Sequence, residues 1–467
     1  MAISNNTDNK NNNEVSILLV GIGGYGSNYV NALFYADEQR QAERDWDEEL
    51  YRRRLERSPI KVVGAVEPAL PARGLAEKHG IPLYESIDAF YAKQRADLAI
   101  LSTPIHLHCE QIKKCLANGS NVLCEKPLCA TVDELSEIEA AIAVESPGAG
   151  AEAGAGAPAG AGVIANAGAG TGAGRGLHVW VGYQLSFSRS VRALKNDILC
   201  GAFGKPLKFK TIVYYPRDES YYARNSWAGR KRTAEGGRLV LDSPIHNATA
   251  HHINNMLFLL GDAPDRAAMP ISVQAELYRG NPDVDNFDTA ALRCETGSGV
   301  PVLFYTSHSL ARTENVGPIC QYRFERATIV HMDGHEHESF YVFYDDGTTR
   351  RYSLPYYDQM QKLWDCIDAI RGGALPTSGI DAAAPEVVCA NGAQLSHPVA
   401  TIPKEYVRRI GEPGRRLTDV DGLDDMLFEC YDNGLLPSEL ETSSRPPWAS
   451  PGKIVALQDI VDINGKL

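Results

Sequence analysis

Apolar runs alternate with amphipathic stretches through the first 200 residues or so. Val15 to Val20 is apolar throughout except for Ser16, Lys61 to Val66 repeats the pattern, and Ala96 to Leu101 and Asn121 to Cys124 follow. A further run, His178 to Tyr183, reads as a strand completing the same sheet. Helical spacing starts near Asn28, recurs from about His108 to Ala117, and recurs again to about Val144 behind Thr131 as N-cap. The charge-rich stretch Asp37 to Arg57 reads as a solvated extension of the first helix. Buried strands alternating with helices in this way predict a parallel, doubly wound sheet.

From Leu207 the period changes to two. Leu207–Tyr215, Ile271–Tyr278, Asp288–Glu295, Val300–Ser307, Gln321–His331 and Phe340–Tyr352 alternate in polarity. Turn signals such as Asn281-Pro282, Thr296-Gly297-Ser298-Gly299 and Asp345-Asp346-Gly347 separate them. This predicts an antiparallel sheet with one face packed on helices, closed by a helix from about Tyr357 to Ile370. The expected organisation is a leader over 1–14, a nucleotide-binding domain over 15–185, a substrate and oligomerisation domain over 186–397, and an irregular extension over 398–467. Residues 146–176, almost wholly Ala and Gly, have too little apolar surface to offset their ordering entropy and read as a flexible insertion in the first domain.

Composition narrows the class. At 467 residues two domains are the natural expectation, and 44% apolar with 22% charged residues is ordinary for a globular protein. A formal net charge of −13 argues against a nucleic-acid surface, which needs clustered Lys and Arg. No run reaches the ~20 apolar residues that span a bilayer. The Asn-rich start lacks the apolar segment of a signal peptide and reads as the disordered leader of a cytoplasmic protein. Ten scattered cysteines without a CxxC pair suggest reduced thiols, with no support for zinc. His331, His335 and His337, around a probable hairpin turn, are read as exposed turn residues rather than as metal ligands.

The first chemical constellation is Gly21-Ile22-Gly23-Gly24-Tyr25-Gly26, between a strand and a helix. Gly21 permits the tight turn, Gly23 lets backbone approach a pyrophosphate, and Gly26 allows close helix–strand packing. The helix N-terminus offers free N–H groups to the phosphates. Glu67, closing the second strand, is the acid expected to hold the ribose hydroxyls, although it lies further on than the usual ~20 residues. An acid there favours NAD over NADP, with Arg73 nearby as the counter-indication. Ser102-Thr103-Pro104 and His108 end the next strand and should line the nicotinamide side. Glu125-Lys126-Pro127 ends the strand after that and places a cation where open α/β sheets bind ligands.

These motifs, with Gly182-Tyr183-Gln184 and Gly236-Gly237…Asp242-Ser243-Pro244-Ile245-His246, resemble the glucose–fructose oxidoreductase / inositol dehydrogenase (Gfo/Idh/MocA) family over most of residues 15 to 395. The resemblance implies an N-terminal Rossmann domain and a C-terminal α/β domain with an open, mainly antiparallel sheet. It also implies sugar or polyol substrates, a cis Lys126–Pro127 bond, and Lys126, Asp242 and His246 meeting over the nicotinamide. Gln184 and Ser186 stand where many members carry Asn and Arg, Pro244 replaces a common glycine, and Thr249 stands where many have aspartate. These departures surround the substrate.

The chemistry agrees with that trio. Oxidising a secondary alcohol needs a base, and histidine suits it. Asp242 and His246, four apart, would share one face of a helix, and Lys126 would stabilise the developing alkoxide. Tyr183, Trp227, Arg230 and Asn247 are the candidate substrate contacts. His251 and His252 read as packing and capping residues. The expected activity is hydride transfer between NAD(P) and a sugar, polyol or glycoside-like hydroxyl, in a homo-oligomer formed through the C-terminal sheet. One alternative is a glycoside hydrolase or lyase that oxidises its sugar transiently, with no net NADH. Another is a nucleotide-sensing regulator on the same fold.

Overall fold

The computed structural model describes residues 14–34, 59–145, 176–234, 237–332, 338–356, 359–460, 463 and 466. Residues 1–13 of the expected leader, the charge-rich stretch Asp37 to Arg57, residues 146–175 of the Ala/Gly tract, His335 and His337 lie outside them.

The first sheet is parallel and six-stranded. Its strands are β1 (Val15–Val20), β2 (Ile60–Val66), β3 (Leu83–Tyr84), β4 (Leu98–Leu101), β5 (Asn121–Cys124) and β6 (Val179–Val181). Their order, β3-β2-β1-β4-β5-β6, reverses between β1 and β4, the topological switch where α/β sheets bind ligands. Both faces are covered, which is why the strands read as unbroken apolar runs. Ile17, Leu19 and Ile100 pack on one side and Leu18, Val20 and Leu101 on the other. Each such side chain, fully buried, contributes roughly 1.5–3 kcal/mol. As the pattern predicts, β6 pairs parallel with β5. The two-residue edge strand β3 is too short to leave a periodic signal.

The second sheet is mixed and ten-stranded. It contains β7 (Pro206–Tyr214), β8 (Pro270–Arg279), β9 (Thr289–Thr296), β10 (Pro301–Ser307), β11 (Val316–Phe324), β12 (Ala327–Met332), β13 (Tyr341–Tyr344), β14 (Thr349–Arg351), β15 (Ala400–Thr401) and β18 (Val455–Ala456). Most pairs are antiparallel, but β7 with β10 and β8 with β15 run parallel. The stretch expected as one strand from Gln321 to His331 is part of two, β11 and β12, which turn at Glu325-Arg326. Those residues carry none of the usual turn chemistry.

One face of this sheet packs on the helices Ala250–Leu260 and Ile380–Ser396, with Val302 and Phe304 turned toward them. Leu303 and Tyr305, one residue out of phase, face the other way. There the C-terminal extension corrects an expectation, because it is not irregular. It forms the hairpin β16 (Val407–Ile410) and β17 (Leu417–Val420), then a helix Leu423–Asn433. Leu423, Leu427 and Tyr431 of that helix pack on Ile212, Tyr214, Leu303 and Tyr305. Tyr305 donates to the carbonyls of Cys430 and Leu435 at 3.1 and 2.9 Å, and Lys210 Nζ to that of Tyr431 at 2.8 Å. Over these strands, the sheet face turned away from the helices Ala250–Leu260 and Ile380–Ser396 is covered by the chain's own extension.

Candidate functional site

The glycine loop leaves β1 where the sheet order reverses. Gly21 has φ 79°, and a Cβ on it would meet the Ser102 carbonyl at 2.6 Å. A Cβ on Gly26 would meet the Gly21 carbonyl at 2.0 Å, so both close approaches require glycine. Gly24 has φ 52°, and Tyr25 is 39% exposed beside it. At the end of β2, Glu67 is buried and accepts from the N–H groups of Ile22 at 2.9 Å and Gly23 at 3.0 Å through one oxygen. Its other oxygen accepts from Ala69 N–H at 2.8 Å, and Arg73 Nε donates to its carbonyl at 3.0 Å. The acid chosen as a ribose ligand thus also braces the loop. The buried Ser102 hydroxyl has no partner among the described residues. This orphaned hydroxyl and a cradle that side chains would fill both fit a dinucleotide. Gly21, Gly23, Gly24 and Gly26 would receive its pyrophosphate and Glu67 its ribose.

Three of the residues expected beside the cofactor, Thr103, His108 and Glu125, are also tied into the protein itself. The His108 ring spans the carbonyls of Thr103 at 2.8 Å and Pro127 at 2.9 Å, tying the β4 and β5 ends together. Burial lowers its pKa, and the two carbonyls act the other way. Thr103 Oγ1 donates to Gln111 at 2.5 Å beside Pro104. Glu125 turns inward, accepting from Tyr29 Oη at 2.6 Å and pairing with the buried ammonium of Lys362, which comes from the helix Gln361–Ile370. Lys362 also reaches Tyr25 Oη at 3.1 Å, joining that helix to the glycine loop.

The Lys126–Pro127 peptide is cis. Lys126 Nζ donates to the Asn247 carbonyl at 2.6 Å and to Asn247 Oδ1 at 3.2 Å. Asn247 Nδ2 in turn donates to Asp242 Oδ1 at 2.6 Å, so Asn247 joins Lys126 to Asp242. Gly229 N–H donates to the other oxygen of Asp242, also at 2.6 Å. Burial pushes the Asp242 carboxyl above its ordinary value, while Gly229 N–H, the Asn247 amide and the charges of Arg224 and Lys126 act downward. Burial pulls the Lys126 ammonium down to about 8 against the attraction of Glu125, Glu386 and Asp242.

Asp242 and His246 do not share a helix face, which corrects the reading from their spacing. Ser243 caps a wide turn, Pro244–Ala248, and its hydroxyl accepts from His246 N–H, so Asp242 lies outside the helical segment. Leu241 just before it has φ 48°, uncommon for a non-glycine residue, with its N–H and that of Val240 both held on the Lys231 carbonyl. The His246 ring lies between Glu386 Oε1, 3.2 Å from Nδ1, and the Cys129 carbonyl, 3.0 Å from Nε2. Glu386 is fully buried and also accepts from Tyr183 Oη at 2.9 Å.

Of the expected substrate contacts, Asn247 sits at the centre as the bridge just described. Tyr183 is fully buried, with its hydroxyl committed to Glu386. Trp227 is half-buried on Ile105, Ala130 and Val240, and Arg230 is exposed, 4.0 Å from Asp285. His252 meets Tyr215 Oη at 2.9 Å, His251 packs edge-on against Tyr183, and His331 is buried against Phe340. Sequence reasoning missed Glu386, Lys362, Arg217 and Arg224. Glu386 had a signal: it is a lone carboxylate in the apolar run Ala382 to Ala390.

Among the described residues, no helix is long and apolar enough to cross a membrane. Residues 15–146 match the model described as "Oxidoreductase family, NAD-binding Rossmann fold", and residues 191–334 match "GFO/IDH/MocA C-terminal domain". The 2,7-anhydro-N-acetylneuraminate hydratase of Mediterraneibacter gnavus is 23% identical over 50% of this chain and 53% of its own. The rhizopine catabolism protein MocA of Rhizobium meliloti is 23% identical over 52% of this chain and 62% of its own. The chain thus spans only about half to three fifths of these curated relatives. The WlbA dehydrogenase of Bordetella pertussis, solved with NADH and UDP-GlcNAcA, superimposes with a TM-score of 0.58 over 82% of this chain and 97% of that one. At 15% identity this is a likeness of fold alone.

Proposed function

The chain belongs to the GFO/IDH/MocA family of oxidoreductases with an NAD-binding Rossmann fold, and from that premise we propose that it transfers a hydride between NAD(H) and a secondary hydroxyl of a sugar, polyol or glycoside-like substrate. Residues 15–185 hold the cofactor in this reading, and residues 186–397 supply the substrate face. The observation that carries the reading is the hydrogen-bonded chain Lys126–Asn247–Asp242, set at the β5 end beside the glycine loop.

NAD, when bound, supplies the hydride acceptor. The protein's groups then manage the proton and the charge. Lys126, as an ammonium, stabilises the oxygen as it becomes an alkoxide. Asp242 holds a neighbouring hydroxyl, aligned by Asn247 and Gly229. A neutral imidazole carries one N–H, so His246 can satisfy only one of its two oxygen neighbours by donation. The Cys129 carbonyl can only accept, so Nε2 becomes the site that takes the substrate proton once it leaves that carbonyl and the ring's one N–H lies on Nδ1 against Glu386. The carbon loses a hydride, the oxygen loses a proton to His246, and a ketone remains.

The test is a screen of sugars and polyols with NAD and NADP, following absorbance of the reduced nicotinamide. At least one should give turnover that Lys126→Met and His246→Ala each reduce by on the order of 10²-fold or more. Tight NADH binding with no turnover on any candidate would overturn net oxidation. A second reading, transient oxidation followed by elimination or hydration and re-reduction, is favoured by the similarity to a protein named as a hydratase. Product analysis separates the two, since bond cleavage or hydration without net NADH supports only the second. A nucleotide sensor would instead retain its ligand response in Lys126→Ala.

A further inference from the structure

The segment leaving β7 carries two arginines without carboxylate partners beside the reacting centre, and we infer that they form a subsite for an anionic group, a carboxylate or phosphate, on the substrate. This inference rests on the assignment of Lys126, Asp242 and His246 as that centre. The segment is anchored at both ends. Tyr215 and Arg217 N–H groups bond to the carbonyls of Ser307 and His308 at the β10 end, and Gly229 N–H bonds to Asp242.

Between the anchors, both guanidinium groups lie over the Tyr221 ring. The Arg224 guanidinium carbon is 3.4 Å from the ring centroid and that of Arg217 is 5.0 Å from it. Arg217 also lies 5.4 Å from the Tyr215 ring, and Arg224 5.5 Å from Trp227. Contact with an aromatic face attracts a cation, but it does not cancel the repulsion between two like charges. The nearby acids are committed elsewhere. Glu219 is paired with Arg409 and Arg416, and Asp218 caps the short helix through Tyr221 N–H. Both oxygens of Asp242 already accept hydrogen bonds. Among the described residues the Arg217 guanidinium donates only to the Pro216 carbonyl, and its Nε is buried without a partner. Arg224 donates to the Tyr221 carbonyl and also bonds the Tyr221 hydroxyl, and neither contact supplies a negative charge.

His308 adds a third donor. It is buried, its ring lies 5.9 Å from Tyr221, and neither ring nitrogen has a partner among the described residues. Burial first, then the charges of Arg217 and Arg224, hold its pKa well below the ordinary value, so it is neutral with one N–H to give. Planar guanidinium groups recognise carboxylate and phosphate oxygens through paired N–H donors, and an anionic substrate would supply the missing counter-charge. Arg224 is close enough for its charge to act on Asp242, which places the anionic group of the substrate near the hydroxyl that reacts.

The test uses the full chain loaded with NADH. D-Glucuronate, D-gluconate and glucose 6-phosphate are each compared with their uncharged parents by calorimetry, in the wild type, Arg217→Met, Arg224→Met and the double variant. NADH binding serves as the folding control, and Arg224→Lys separates charge from planar pairing. At least one anion should bind about tenfold or more tightly than its parent, and the double variant should remove that gap while NADH affinity holds. Whether a carboxylate or a phosphate is favoured identifies the group. The subsite is overturned if no anion exceeds its parent, or if the gap survives in the double variant. Hydride transfer to neutral sugars without anion preference sinks the subsite and leaves the redox reading. Anion-selective binding without any hydride transfer does the reverse.

Discussion

Glu386 Oε1 lies 3.2 Å from His246 Nδ1, with both side chains shut away from solvent. The two residues lie 140 positions apart in the chain, and Tyr183 Oη donates to the second oxygen of Glu386. A buried carboxylate is costly unless paired, so this arrangement fixes the ring and offers a counter-charge when Nε2 gains a proton. Glu386→Gln is expected to keep the packing but lower kcat on the order of 10²-fold with KM little changed. Steady-state kinetics checks this. A kcat within twofold of wild type would remove Glu386 from the mechanism.

In the proposed reaction, Lys126 should make the activity depend on pH in a defined direction. Its ammonium has a pKa near 8 because burial disfavours the charge. It is charged below that value, so alkoxide stabilisation weakens as pH rises through about 8. The kcat profile should fall on that limb, and Lys126→Arg, charged throughout, should shift the fall to higher pH. If Lys126 were instead the base, the rate would rise through the same window. Stability moves the other way. A folded pKa below the ordinary 10.5 means that the unfolded chain holds more protons between about 8 and 10.5, so stability at this site rises with pH there.

Glu67 should set the cofactor choice. Its carboxylate lies against the glycine loop through Ile22 and Gly23 N–H, where a 2′-phosphate would meet a second negative charge. NADH should therefore bind more tightly than NADPH when titrated by fluorescence. Glu67→Gln should narrow that ratio at modest cost. Glu67→Ala should weaken both, because it strands the two loop N–H groups at ~1–3 kcal/mol each. Equal affinity for both cofactors in the wild type would remove Glu67 from that role.

The nucleotide half was legible because β1, β2, β4 and β5 are largely apolar runs and Gly21 and Gly26 occupy positions that tolerate no Cβ. Lys126 was legible from its place at a strand end. Spacing misled at Asp242 and His246, since the Ser243-Pro244 start of a new turn breaks the helical relation. In the extension, Leu423, Met426, Leu427, Cys430 and Tyr431 have the i, i+3, i+4, i+7, i+8 spacing of an apolar stripe. That signal was present but lay among Pro- and Gly-rich neighbours. Lys362 left no local trace, because its partner Glu125 is brought to it only by the packing of one domain on the other.

That last pair can be tested as a unit. Lys362 is completely enclosed and Glu125 nearly so, and Tyr29 Oη also donates to the carboxylate. Burial alone would lower the Lys362 pKa, but Glu125 and the Tyr25 hydroxyl more than reverse it, so the ammonium stays charged. Removing one partner leaves the other charge buried and unpaired, a loss of about 3–5 kcal/mol in such sites. Lys362→Met and Glu125→Gln should each lower the midpoint of urea unfolding, and the double variant should be more stable than the sum of the two losses implies. A coupling of more than about 1 kcal/mol is expected for groups in direct contact. Because Lys362 also touches Tyr25, the single variants should weaken NADH binding, with part of that affinity recovered in the double variant. Strictly additive losses would mean that the pair is a contact of packing and does not brace the loop.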